Sequence, residues 1–227
     1  MNIPILYTFR RCPFAIRARS ALYFSKTKFE IREVVLNKKP PQMMEASQKG
    51  TVPILVFKDL IFDESFDIVI WSLNNKDQLN LLNPYKENKK KTIRLISKID
   101  NEFKYHLDRY KYSSRYENDH DFLGKLKHRN IALNFLNEIE EVLKENTYLY
   151  QNKISILDLC IFPLIRQFKI ADIEWFRNNQ RLKNINSWLE GILNEDFFKI
   201  IMRKYKPWES SKAPEYFSYD LEIRRIQ

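Results

Sequence analysis

Of the two cysteines in the chain, Cys12 stands where a thiol could do chemistry, directly after Arg10-Arg11 and before Pro13-Phe14. The residues ahead of it, Ile3-Pro4-Ile5-Leu6-Tyr7, make the compact apolar run of a buried strand. Those behind it, Ile16, Ala18, Ala21, Leu22 and Phe24, recur with helical spacing, and Arg17, Arg19 and Lys26 fall largely between them. The spacing therefore predicts Cys12 at a helix N-terminus, with Pro13 as the first helical residue, where a missing N–H costs nothing. Unpaired backbone N–H groups and the positive end of the helix dipole converge at such a position. A thiol there, beside two arginines, is expected to ionise in the range of ~3.5–7.5 found for such sites, and the thiolate is the reactive form. The competing reading is a half-buried cysteine that only packs.

The other candidates for chemistry are poorer. Cys160 lies between Leu159 and Ile161 in an apolar helical segment and reads as core. His106, His120 and His128 lack the spacing of metal ligands, so no metal is expected. A dithiol oxidoreductase needs a second cysteine three positions after the first, but Ala15 stands there. A disulfide formed at Cys12 would have to be cleared by an external thiol.

The elements that position Cys12 follow in order. Residues 29–36 alternate apolar and charged before ending apolar, a strand pattern; 42–49 suit a short helix. Gly50-Thr51-Val52-Pro53 leads into a strand at 54–57, to which 60–62 pairs across the tight Lys58-Asp59 turn, and a helix follows from Ser65 to Leu73. The order βαβαββα over residues 1–76 is that of a thioredoxin-like α/β domain. A linker at 77–84, rich in asparagine and closed by a proline, precedes an all-α region at 85–227, read as a helical bundle domain. Apolar residues from Ile93 to Tyr110 and from Phe122 to Leu143 predict two long amphipathic helices with a polar turn at 112–119. Ser155-Ile156-Leu157-Asp158 opens a third as a capping box in which Asp replaces the usual Glu. Shorter helices are expected at 185–193 and 197–205.

The 227 residues bound the chain to one or two domains. A formal charge of +10 raises nucleic acid as a partner, but the basic residues are spread along the chain and no nucleic-acid motif is present, so none is expected. An anionic small molecule suits the same surface. No uninterrupted apolar run reaches transmembrane length and no signal peptide opens the chain, so no membrane partner and a cytoplasmic location are expected.

Arg11-Cys12-Pro13-Phe14-Ala15, Gly50-Thr51-Val52-Pro53, Asp63-Glu64-Ser65 and Ser155-Ile156-Leu157-Asp158, in this order and spacing, resemble the glutathione S-transferase family. The likeness is nearest to its cysteine-type, omega-like members and their bacterial relatives, and it covers nearly the whole chain up to Trp208. It implies glutathione as co-substrate, with Cys12 catalytic. A cis Val52-Pro53 bond would present the Val52 backbone to the cysteinyl unit, although a proline that merely opens a strand fits the sequence equally. Ser65 and its helix N-terminus would hold the γ-glutamyl carboxylate, Glu64 the ammonium, and Lys39, with Lys38 adjacent, the glycyl end; Phe14 belongs to the same binding set. Helix cap, acidic neighbour and solvated lysine are the alternatives. The second substrate, a small electrophile or disulfide, would meet Tyr105, Arg109 and Tyr112, and a homodimer is implied.

Three activities stay open. Thiol transfer through Cys12 covers mixed-disulfide reduction, deglutathionylation and dehydroascorbate reduction. Conjugation of electrophiles could instead draw on Cys12 or on Tyr7, which conjugating relatives place near the end of the first strand, unless Tyr7 is simply a core residue. A non-catalytic regulatory module, as in relatives that bind RNA polymerase, is the third.

Overall fold

The structure is a computed structural model that describes residues 3–220. The described residues of Met1–Leu79 and Leu193–Gln227 form one compact unit and Asn80–Ile192 a second. The segment after Leu193, which the sequence places with the helical region, is thus grouped with the N-terminal unit.

In the first unit, strands β1 (Ile5–Thr8), β2 (Glu30–Glu33), β3 (Ile54–Phe57) and β4 (Leu60–Phe62) make one sheet of order β2-β1-β3-β4. β1 runs parallel to β2, with Tyr7 opposite Arg32 and Thr8 opposite Glu33, and antiparallel to β3, with Tyr7 opposite Ile54. The parallel pair needs a crossover, and α1 (Pro13–Phe24) supplies it. β2 is shorter than expected, because Val35 and Lys38 already close a turn ahead of the Pro40-Pro41 start of α2 (Pro41–Ala46). α3 (Ser65–Asn75) follows the β3–β4 hairpin. α1 packs against α3 and against α12 (Asp196–Ile201) and is buried on all sides from Ala15 to Leu22.

Beyond α12 the chain runs along the outer edge of β2. Trp208 N–H donates to Glu33 O at 2.8 Å, Ile31 N–H to Glu215 O at 2.8 Å, and Phe217 N–H to Phe29 O at 3.1 Å. Phe217 stacks on Phe29 at 4.8 Å, and the Tyr219 hydroxyl donates to Thr27 O at 2.6 Å. An edge strand is thereby covered.

The second unit holds α4 (Asn83–Glu87), α5 (Lys89–Lys98), a π-helical turn at Ile99–Phe103, α6 (Lys104–Lys111), α7 (Lys125–Phe135), α8 (Asn137–Glu145), α9 (Ile156–Ala171), α10 (Ile173–Asn178) and most of α11 (Lys183–Asn194). The expected helix over 93–110 lies within α5, the π turn and α6. The one expected over 122–143 is broken at Leu136 and starts only after Gly124, whose φ of +91° needs a residue without a side chain. The last helix stops at Ile201 rather than reaching Tyr205. The predicted capping box forms: Ser155 N–H and Oγ both donate to Asp158 Oδ2 at 2.8 Å. Asp158 Oδ1 also accepts from Leu149 N–H and the Trp188 indole, each at 2.9 Å. Among the described residues no helix is long and apolar enough to cross a membrane.

Candidate active site

Cys12 caps α1 with extended backbone (φ −69°, ψ 125°), and Pro13 is the first helical residue. β1 ends at Thr8, and the turn to the helix is closed by Cys12 N–H donating to Phe9 O at 3.0 Å. The half-buried thiol packs against the cluster of Tyr7, Ala15, Val34, Met43, Val52 and Ile54, and donates to Val52 O at 3.5 Å. The Val52-Pro53 bond is cis. Cysteine and proline loop, forty residues apart in sequence, thus meet at hydrogen-bond distance.

Glu64 caps α3, and its carboxylate accepts from Lys49 Nζ at 2.7 Å. The same ammonium donates to Asp63 Oδ1 at 2.9 Å, while Ser47 Oγ donates to Asp63 Oδ2 at 2.7 Å. Hydrogen bonds to Glu64 and then Asp63 hold Lys49 above the usual lysine range, and those from Lys49 and Ser47 hold Asp63 below the usual carboxylate range. Glu64 therefore already carries one ammonium. Ser65, the first residue of α3, is buried, and its hydroxyl accepts from Arg17 Nη1 at 3.2 Å. Phe14 is half-buried under the Arg17 guanidinium, 5.2 Å from its ring centroid. Lys39 is exposed, and its Nζ lies 3.1 Å from where a Cβ on Gly50 would sit. The φ of +61° at Gly50 favours glycine there.

Tyr7 sits in the core. It is buried, its hydroxyl accepts from Arg32 Nη1 at 2.6 Å, and Trp208 meets its ring edge-on at 6.1 Å. Burial pushes its phenol above the ordinary value and keeps the hydroxyl protonated.

In the second unit, Tyr105 and Arg109 belong to a local charged cluster, and Tyr112 lies apart from it among basic residues. Arg109 Nη2 reaches Asp119 Oδ2 at 3.1 Å and Asp121 at 3.4 Å, and its guanidinium lies 3.6 Å over the Tyr105 ring. The Tyr105 hydroxyl donates to Asp121. Tyr112 is exposed beneath Arg115 at 4.5 Å. His106 and His128, scattered in sequence, meet at 2.8 Å between their Nδ1 atoms. Leu123 N–H donates to His128 Nε2, so His128 carries its proton on Nδ1 and gives it to His106. Among the described residues no three side chains of His, Cys, Asp or Glu are grouped to hold a metal.

Sequence reasoning missed Arg17, Arg19 and Glu33. Both arginines are buried although they sit on the helix that carries Cys12. Arg19 Nε donates to Ile201 O at 2.8 Å, Nη2 to Arg10 O at 2.7 Å, and Nη1 to Thr8 Oγ1 and, at 3.5 Å, to Phe9 O. Glu33 Oε1 accepts from Arg10 N–H at 2.7 Å. The available signal was composition: Ala15 to Leu22 is otherwise small and apolar, the mark of a helix with no solvent face.

The glutathione S-transferase N-terminal domain model matches residues 6–79 and the C-terminal domain model residues 83–196. A glutathione transferase from Burkholderia graminis, solved with two glutathione molecules per subunit, is 15% identical, with 88% of each chain covered and a TM-score of 0.74. One from Pseudomonas putida, solved with glutathione disulfide, is 15% identical, covers 89% of this chain and 91% of its own, and has a TM-score of 0.73. Among sequences, a stringent starvation protein A homolog from Haemophilus influenzae is 25% identical over 174 residues, 75% of this chain and 76% of that protein. With a fold shared with solved glutathione transferases and both domain models matched in order, the chain belongs to the glutathione S-transferase family.

Proposed function

We propose that the protein is a glutathione-dependent thiol transferase of the cysteine type, with Cys12 as its nucleophile. The observation that carries this reading is the thiol at the N-terminus of α1, 3.5 Å from the Val52 carbonyl, with Ala15 in place of a second thiol. The Cys12 thiolate attacks the glutathionyl sulfur of a mixed disulfide; that S–S bond breaks, and the leaving thiolate takes a proton from solvent. A second glutathione thiolate attacks the glutathionyl sulfur now on Cys12, forming glutathione disulfide and returning the enzyme thiolate. One reduced glutathione is consumed for each mixed disulfide reduced, the other half of the glutathione disulfide coming from the substrate, whereas a substrate without a glutathionyl group consumes two. Dehydroascorbate would accept the same two electrons.

Glutathione is the ligand class because the Burkholderia and Pseudomonas structures hold it or its disulfide. In this reading the Val52 backbone, beside Pro53, pairs with the cysteinyl unit like an added strand. Ser65 and the N-terminus of α3 take the γ-glutamyl carboxylate. Glu64 takes the ammonium in place of Lys49, Lys39 the glycyl carboxylate, and Phe14 lines the thiol side. Tyr105, Arg109 and Tyr112 are assigned to the second substrate. Since Asp119 and Asp121 already oppose the Arg109 charge, a neutral group on the non-glutathionyl half of the disulfide suits them better than an anionic one. A soluble homodimer in the cytoplasm is part of the proposal.

The test is a panel with reduced glutathione: a mixed-disulfide substrate, dehydroascorbate and an aryl halide, each with wild type and Cys12→Ser. Turnover of the first two that vanishes in the variant supports thiol transfer; turnover of the aryl halide alone supports conjugation. A regulatory, non-catalytic role is the second reading, favoured by the likeness to the stringent starvation protein A homolog. Failure to bind immobilised glutathione at millimolar concentration would select it.

A further inference from the structure

We propose that Arg19 is the positioning residue of the reactive thiol, its buried guanidinium fixing the Phe9–Cys12 turn from inside and, with Glu33 as opposing charge, governing how readily Cys12 ionises. The proposal rests on the reading of Cys12 as nucleophile and names the groups that would prepare it.

The turn is held at four backbone polar groups. Phe9 O accepts from Cys12 N–H and from Arg19 Nη1; Arg10 N–H is taken by Glu33 Oε1, and Arg10 O by Arg19 Nη2. Arg19 Nε anchors the same guanidinium to Ile201 O at the end of α12. A fork of five donors in fixed geometry can do this, whereas a lysine ammonium cannot.

All of these acceptors on Arg19 are neutral oxygens, so the guanidinium is buried without a hydrogen-bonded carboxylate. Burial pulls it down to about 10, which leaves it charged at neutral pH. A buried cation is costly unless an anion lies near. The charged or titratable groups that face it are Glu33 from β2, Cys12 and Arg10 from the turn, and Tyr205 after α12. Of these, Glu33 is the larger opposing charge, and an ionised Cys12 adds a second. Glu33 works against that ionisation, both by repelling the thiolate and by opposing Arg19, while Arg10 and Arg11 favour it.

The experiment is the pH profile of Cys12 alkylation by iodoacetamide, followed on the Cys12 peptide by mass spectrometry, in wild type, Glu33→Gln, Arg19→Gln and Arg19→Lys. Thermal melting checks that each is folded. Glu33→Gln keeps an acceptor for Arg10 N–H and removes only the charge; its alkylation midpoint should fall by about 0.5 to 1 pH unit. Arg19→Gln should raise the midpoint by a similar amount, and Arg19→Lys, with the charge but not the fork, should restore most of it. A Glu33→Gln profile superimposable on wild type overturns the proposal, even if neither Arg19 variant folds. Alkylation needs no glutathione. Shifted profiles without glutathione turnover would thus uphold the role of Arg19 and sink thiol transfer, and coincident profiles with turnover would do the reverse.

Discussion

The thiol of Cys12 donates to the carbonyl oxygen of Val52 at 3.5 Å, joining the first turn of α1 to the loop that opens β3. That bond exists only while the sulfur is protonated. Ionisation removes it and leaves the N-terminus of α1 to stabilise the sulfur, while the Val52 carbonyl becomes available to a ligand backbone.

Substitutions at Cys12 and Tyr7 should therefore separate. Cys12→Ser should lower glutathionyl transfer by about 100-fold or more, since a serine hydroxyl stays protonated near neutral pH. Tyr7→Phe removes only the acceptor for Arg32 Nη1 and should keep activity within about tenfold, at a stability cost of about 1 kcal/mol. Initial rates and thermal melts of both variants check this. Loss of turnover in Tyr7→Phe alone would return the tyrosine to the chemistry.

Asp158 should be the costliest single carboxylate in the helical unit. It is fully buried, and burial pushes its carboxyl up, yet it accepts from Ser155, Leu149 and Trp188. Asp158→Ala leaves those donors without their acceptor and should cost roughly 3 kcal/mol or more in urea unfolding. A change below about 1 kcal/mol would show that the network contributes little.

How much of this was legible in the sequence follows from which signals are local. The strand–Cys12–helix junction could be read because an apolar run, a proline at the first helical position and helical spacing lie within twenty residues. The capping box at Ser155 and Asp158 could be read for the same reason. The burial of Arg17 and Arg19 had only the small, apolar residues around them to signal it, because their acceptors, Ser65 and Ile201, are distant in sequence and charged residues between apolar ones ordinarily mark a solvent face. The return of residues 207–217 to the edge of β2 is likewise non-local, and the segment has no period to betray it. Leu136 sits at the break between α7 and α8, yet it continues the apolar spacing across it.

That returning segment yields a prediction of its own. Phe217→Ala removes a buried ring stacked on Phe29 and should destabilise by about 3 kcal/mol. Truncation after Lys206 should expose the β2 edge, lower the melting temperature and promote self-association, measured by light scattering. A truncated chain that melts like the full one would remove any structural role for the segment.

The histidine pair predicts an acid limit. Burial holds His106 and His128 below the ordinary histidine value of 6.5, so the unfolded chain binds protons that the folded form refuses. Stability is then full above ~6.5 and declines as pH falls below it, levelling off once the folded-state histidines are protonated too. Melting temperatures between pH 7.5 and 5 should show that slope, and His106→Gln with His128→Gln should flatten it. An unchanged slope in the double variant would place the acid sensitivity elsewhere.

The most direct test of the account is to treat the protein with glutathione disulfide, map the adduct by peptide mass spectrometry and then add reduced glutathione. A single glutathionyl group on Cys12, discharged by reduced glutathione at the rate of turnover with a mixed-disulfide substrate, is the predicted result. No adduct at Cys12, or one that reduced glutathione cannot remove, would contradict it.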